Sequence, residues 1–414
     1  MQKESQRIIQ ISNALHKASD SISILKNITW DDSIKETFFK NNAQKLPVVS
    51  YNPYNPEPVL TQIKEVRKLL ESDTPIDKWA RRIANKLESS ALLLNSRGTS
   101  DFFKHSSDLF GKPHNTIHNG MCTTYDLAIH FDQLFENIKH LDLGAPTTPS
   151  VTAQELAQHM GVAVKEIFGD LAPAVVFDSS LASNVLAGRS KISIRPNARF
   201  TDKDIDQLIH HEAHVHVATA LNGEAQQHLK ILGVEHAGTT ITQEGLAIFA
   251  EFITGNSDLD RIQRLSDRVL AIQMAIDGAD FIEIYRYFLD KTDNKEQSFQ
   301  NAKRVCRGGL VNGKAPFTKD IVYLEGLIDV HSFLRVAMTS GKLEHLDLLF
   351  CGKLDIRDLP ALKQLSDMGL ITKPKFLPPW IQDKRYLFSY LSYSTFLNKI
   401  NLENTKDFYK NILI

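Results

Sequence analysis

Residues 210–216 read H-H-E-A-H-V-H, which places four of the chain's 15 histidines beside one glutamate. Neutral imidazole is a common ligand of divalent metals, and a carboxylate next to such a ligand can take a proton from water. Zinc proteases often space these groups as H-E-x-x-H, so that both ligands share one helical face and the glutamate serves as general base. The spacing here differs: the His-Glu pair is His211-Glu212, the fourth residue after His211 is Val215, and His216 follows one position late.

A straight helix turns about 100° per residue, so residues four apart lie about 40° apart around the axis and residues five apart about 140°. On that geometry His210 and His214 form the easy chelate, but Glu212 then sits on the opposite face, away from any bound water. Choosing His211 and His216 keeps Glu212 beside the first ligand and demands a local widening of the helix. A single π-type turn would supply it, and such turns concentrate at functional sites.

A tetrahedral catalytic zinc takes a third protein ligand and keeps one position open. The candidate is Glu244 in T-I-T-Q-E-G-L-A-I-F-A-E, where Thr240 or Thr242 caps a new helix and the glutamate falls in its first turn. Glu224, Glu235 and Glu251 compete for that role. The Asn222-Gly223 pair suits the end of the preceding helix, and Gly245 would let another segment approach closely. The bland alternative is a polar helix face of histidines with no metal at all.

These groups need a frame. Ile8, Ile11, Leu15, Ile22 and Leu25 recur at roughly helical spacing, and the proline-rich strap Leu46 to Pro58 forbids helix before Leu60, Ile63, Val66, Leu69 and Leu70 resume it. Thr74 before Pro75 marks a capped start, with Trp79, Ile83 and Leu87 on one face. Ser96 to Pro113 reads as a loop entering a short helix that ends at Gly111. A second connector, Leu143 to Ser150, precedes Thr152 and Glu155, which have capping-box spacing. Strands are expected at Ala174 to Phe177 and, by alternation, at Ser190 to Arg195. The motif helix then starts at Thr201 with Asp204 three residues on, and the remainder is mostly helical, with breaks at Arg307 to Gly309 and Pro374 to Trp380.

With 48 basic and 49 acidic residues the formal charge is -1, so no global field favours nucleic acid or an anionic membrane as a partner. Cys122, Cys306 and Cys351 are odd in number and lack C-x-x-C spacing, which argues for free thiols in a reducing compartment. The N-terminus is too polar for a signal peptide, and no run approaches the roughly 20 apolar residues of a membrane span; a cytoplasmic location is the expectation.

Together, H-E-A-H-V-H and T-Q-E-G-L-A resemble the QEGLA-motif family, which includes bacterial proteins named as flavohaemoglobin expression modulators and the eukaryotic microtubule-associated tyrosine carboxypeptidases. The resemblance extends to Ala187 to Pro196, His216 to Gly223, Arg304 to Gly309, Asp320 to Gly326 and Phe350 to Lys353. It implies one zinc ion on His211, His216 and Glu244, with Glu212 as general base. It further implies peptidase activity, as a carboxypeptidase on a peptide or protein tail. The terminal carboxylate then needs a cation, for which Arg304 and Arg307 are candidates, and Tyr323 is a candidate to steady the oxyanion. The strand Lys191 to Arg195 can accept an added peptide strand or be internal. His210 and His214 fall to supporting or packing roles.

The fold expected is α+β and mostly helical, with a zincin-like core, a small sheet beside the motif helix, and helical elaborations at both ends. Its divisions are 1–59 (N-terminal helices and strap), 60–150 (helical module), 151–360 (catalytic core) and 361–414 (C-terminal extension). The competing class is a catalytically silent, zinc-stabilised regulatory or binding protein.

Overall fold

The computed structural model describes residues 2–410 except 72, 119, 121, 145–147, 180, 182, 398, 402–404 and 407–408. The middle of the Leu143 to Ser150 connector and part of the C-terminal extension therefore lie outside the described residues. The architecture is α+β and mostly helical.

Local rules account for several helix starts. Thr74 accepts from the Asp77 amide ahead of Pro75, opening Pro75–Asn95, and Trp79, Ile83 and Leu87 on its inner face are at most 3% exposed. Thr152 with Glu155 and Thr201 with Asp204 both form reciprocal capping boxes. The Gln2–Asp20 helix buries Ile8, Ile11 and Leu15 in a core that continues through Val66, Leu87, Phe249, Leu334 and Phe350 to Leu391. Within it Arg7 donates to Asp77 at 2.7 Å and to the Leu69 carbonyl at 2.8 Å, tying the first helix to the fourth and fifth.

The small sheet has three strands in the order Ala174–Phe177, Lys191–Ile194, Val185–Ala187, the first pair parallel and the second antiparallel. Lys191–Ile194 is thus the central strand, paired on both sides. It is not free to take an added peptide strand; its apolar residues Ile192 and Ile194 are fully buried. Ser190 and Arg195, expected as strand ends, still bond through their backbones to Ala174 and Asn184. Two further two-residue pairings, Thr116–Ile117 with Cys122–Thr123 and Val151–Thr152 with Arg199–Phe200, are too short to show a period-two pattern in sequence.

The motif helix is continuous from Asp202 to Glu224 but changes character midway: Asp202–Leu208 is α, Ile209–Val217 is π, and Ala218–Glu224 is α again. Asn222-Gly223 lies inside its last turn rather than beyond it. The Asn222 side chain donates to the Phe350 and Phe376 carbonyls at 2.8 and 2.7 Å and accepts from the Lys375 and Phe376 amides at 2.9 and 3.0 Å. Gly223 is required by proximity, since a Cβ there would sit 2.0 Å from the Leu232 carbonyl oxygen.

The next helix, Thr240–Ile253, has Thr239 at its N-cap with no side-chain capping bond, so neither Thr240 nor Thr242 caps it. Thr242 instead accepts from the Ile356 amide at 3.0 Å. Glu244 consequently falls in the second turn. Gly245 meets the Val322–Thr339 helix backbone to backbone: a Cβ on Gly245 would lie 2.3 Å from the Gly326 carbonyl oxygen, and one on Gly326 would lie 2.2 Å from that of Ile241. This crossing carries Lys319, just before the second helix, to the glutamate, with Tyr323 of that helix beside the lysine.

All three cysteines are free, and burial pushes the Cys351 thiol up to about 12 and Cys306 higher still. Among the described residues no helix is long and apolar enough to cross a membrane. The crossing makes one consequence measurable. Gly326→Ala should cost about 1–3 kcal/mol or more, because neither backbone can retreat from a packed core; a urea midpoint equal to wild type would show that the helices separate freely.

Candidate metal centre

In a π turn the hydrogen-bonded ring closes five residues on rather than four, so His216 comes to stand over His211. Their rings lie 5.0 Å apart and nearly perpendicular. Glu244 Oε2 sits between them, 3.8 Å from His211 Nε2 and 3.7 Å from His216 Nε2. One donor atom from each of the three residues falls within 4.8 Å of the others, and no other such group of three converges among the described residues. Two donors on one tetrahedral zinc, at bonds of about 2.0–2.2 Å, stand roughly 3.4 Å apart. The two distances to Glu244 are therefore within a few tenths of an ångström of what a zinc-sized ion needs.

His210 and His214 form a separate, stacked pair with ring centroids 5.3 Å apart. Burial lowers the basicity of both, that of His214 to about 4, with His210 adding to the effect. Among the described residues no carboxylate joins them to complete a donor set.

A second layer holds the first in place. His211 Nδ1 is 2.6 Å from Glu251 Oε1. A carboxylate at its charged end only accepts, so Nδ1 carries the proton and the Nε2 lone pair is left facing Glu244 and His216. Arg261 grips the same Glu251 with Nε and Nη2 at 3.0 and 2.9 Å. Burial works against the Glu251 charge, but Arg261 and His211 more than offset it and hold the carboxyl at about 2. Glu244 is treated likewise: burial opposes its charge, Lys319 opposes burial, and the net shift is well below the ordinary carboxylate range. Lys319 Nζ donates to Glu244 Oε1 at 2.8 Å, leaving Oε2 for the histidines.

Glu251 entered the sequence reading only as a rival ligand. Its position two turns after Glu244 on the same helix was the available signal for a neighbouring role, and Arg261 across the turn was the other. Lys319 carried no such signal, because it reaches Glu244 only through the Gly245–Gly326 crossing.

The centre opens on a cleft of about 650 Å³ whose wall includes His211, Glu212, Val185, Arg304 and Tyr323. Glu212 is 7% exposed. Its carboxylate makes no hydrogen bond or ion pair with the described residues and adjoins both the His211 ligand and the cleft. Arg304 reaches the wall but is forked on Asp320, with both bonds at 2.7 Å. Tyr323 lies beneath the Lys319 ammonium, 5.2 Å from its ring centroid. Arg307 does not reach the cleft. As the C-cap of Lys295–Cys306 it turns into extended backbone, away from the face that carries Arg304, and its guanidinium packs over Phe317 at 5.6 Å while only 2% exposed.

The chain belongs to the microtubule-associated tyrosine carboxypeptidase family, whose sequence model matches residues 36–399. This agrees with the resemblance read from H-E-A-H-V-H and T-Q-E-G-L-A. No curated protein matches the chain.

The donor geometry predicts that added Zn²⁺ survives dialysis in His214→Ala but not in His216→Ala, read by elemental analysis; the opposite pattern would move the site to the stacked pair. Glu251→Gln should weaken Zn²⁺ binding about 10- to 100-fold by loosening the His211 ring. A competition titration with a chelator measures this, and an unaltered affinity would make the Glu251 contact irrelevant to the site.

Proposed function

We propose that this protein is a zinc-dependent metallopeptidase with a zincin-like core, acting as a carboxypeptidase on the C-terminal residue of a peptide or protein tail. The observation that carries this reading is the convergence of His211, His216 and Glu244, with His211 and the adjoining Glu212 on the wall of an open cleft. A site for structure alone has no need of an uncommitted carboxylate beside a ligand. Membership of a carboxypeptidase family supports the reaction class.

The residues present suit a zinc ion in charge and in spacing: two imidazoles, and one carboxylate kept ionised by Lys319. Bound there, such an ion would supply Lewis-acid polarisation of the scissile carbonyl and lower the pKa of water at its open position. The chain's own groups do the rest. Glu212 takes the proton of the attacking water and passes it to the departing amine. Tyr323 is the candidate to donate to the developing oxyanion, a role supported by its position on the cleft wall next to Lys319. Of the two edge strands of the sheet, Val185–Ala187 begins on the cleft wall and is the one available for an extended peptide.

The test is a peptide pool incubated with the zinc-loaded protein and followed by mass spectrometry. Wild type should remove single C-terminal residues, and Glu212→Gln should bind zinc normally while losing about 10²- to 10⁴-fold in rate. Equal silence from both, with zinc bound, would overturn the proposal in favour of a silent zinc-stabilised binding protein.

A further inference from the structure

The cleft wall carries six arginines: Arg195, Arg199, Arg261, Arg264, Arg268 and Arg304. Four already have partners. Arg261 is forked on Glu251 and Arg304 on Asp320. Arg268 leans on the same Asp320 at 3.7 Å and lies over the Tyr323 ring, and Arg195 donates to the Leu181 carbonyl at 2.6 Å. Arg199 and Arg264 alone make no hydrogen bond or ion pair with the described residues.

These two differ in setting. Arg199 is exposed on a two-residue strand, where water screens its charge. Arg264 is half-buried in the Leu259–Asp277 helix, one turn after Arg261 and one turn before Arg268, so all three face the cleft along one stripe. Burial, with Arg261 adding like-charge repulsion, lowers its pKa. The acidic groups facing it are Asp204, Asp258 and Asp260. The first two are occupied in capping their own helices, through Thr201 and the Arg261 amide. A guanidinium still holds its proton in such a place, which leaves five donors without a hydrogen-bond partner among the described residues, on a charge that these carboxylates oppose only at longer range.

We propose that Arg264 receives the α-carboxylate of the substrate's terminal residue, and so confines cleavage to the last peptide bond. The inference rests on the carboxypeptidase reading. It assigns to Arg264 the cation that Arg304, committed to Asp320, and Arg307, outside the cleft, do not provide. A planar fork of donors fits a carboxylate in two parallel bonds, and the low-dielectric wall strengthens both. No covalent step is involved: the carboxylate enters charged, and its release as part of the free amino acid restores the empty fork.

The experiment compares matched peptide pools, one with free C-termini and one amidated, on zinc-loaded wild type, Arg264→Ala, Arg264→Lys and Arg199→Ala, with zinc content measured for each. Wild type should strongly prefer the free acids. Arg264→Ala should lose about 30- to 1,000-fold in kcat/KM on acids, with little change on amides and zinc unaltered. Arg264→Lys should recover part of the loss, since a point charge lacks the fork. Guanidinium ion added to Arg264→Ala should restore activity on acids, a response that a purely structural role would not show. Full acid preference in Arg264→Ala, or its loss in Arg199→Ala instead, would overturn the assignment and leave the carboxypeptidase reading intact. Equal cleavage of amides by wild type, or no cleavage of either pool, would overturn both.

Discussion

The hydrogen-bonded ring between His211 and His216 closes one residue wider than an α turn, and the geometry of the centre depends on that extra residue. In an unbroken α-helix the two imidazoles would diverge by about 140°, and no position of Glu244 could meet both. The widening costs backbone regularity, and the surroundings must over-determine it to hold it in place. They do so on both sides. Upstream, the Thr201 capping box fixes where the helix starts; downstream, Asn222 fastens its last turn to two other chain segments through four bonds.

The charges around the centre follow from a single rule. Desolvation alone would protonate buried Glu244, Glu251 and Asp320, and each is kept ionised by a dedicated cation: Lys319, Arg261 and Arg304. Such pairs add little net stability compared with apolar packing. Their contribution here is orientation. Lys319 takes Oε1 of Glu244 and leaves Oε2 between the two histidines, while Arg261 grips both oxygens of Glu251 and so fixes the acceptor that holds His211 Nδ1. Replacing any of them with an apolar residue would leave a buried carboxylate that neutralises and rotates.

Supporting helices are brought to these residues by close backbone approach rather than by large side chains. The Gly245–Gly326 crossing lets the Thr240–Ile253 and Val322–Thr339 helices touch, so Lys319 meets Glu244 from across the chain, with Tyr323 beside that lysine. Gly223 does the same against the Leu232 carbonyl at the far end of the motif helix. Within that frame His211 and Glu212 face the cleft.

Features legible in the amino-acid sequence by itself were those governed by interactions within a few residues. The capping groups Thr74, Thr152 and Thr201 act within three positions, the apolar stripe of Trp79, Ile83 and Leu87 repeats within one helix, and the placement of Glu212 between two possible ligands called for a widened turn. Where meaning depended on a distant partner, tertiary structure decided. Asn222-Gly223 does mark the helix end, which falls at Glu224, but nothing local reveals Phe350, Phe376 or Leu232 waiting beside it. Whether Lys191–Ile194 was internal or free to take an added strand stayed open, because of its two flanking strands only Ala174–Phe177 shows in the pattern, while the three residues of Val185–Ala187 are too short to do so. Arg304 and Arg307, three apart, looked equivalent until the chain turned between them, sending one to Asp320 and the other onto Phe317. Glu251 and Lys319 gained their roles in the same way, since burial sets the energy of a charge and burial is a property of the whole packed chain.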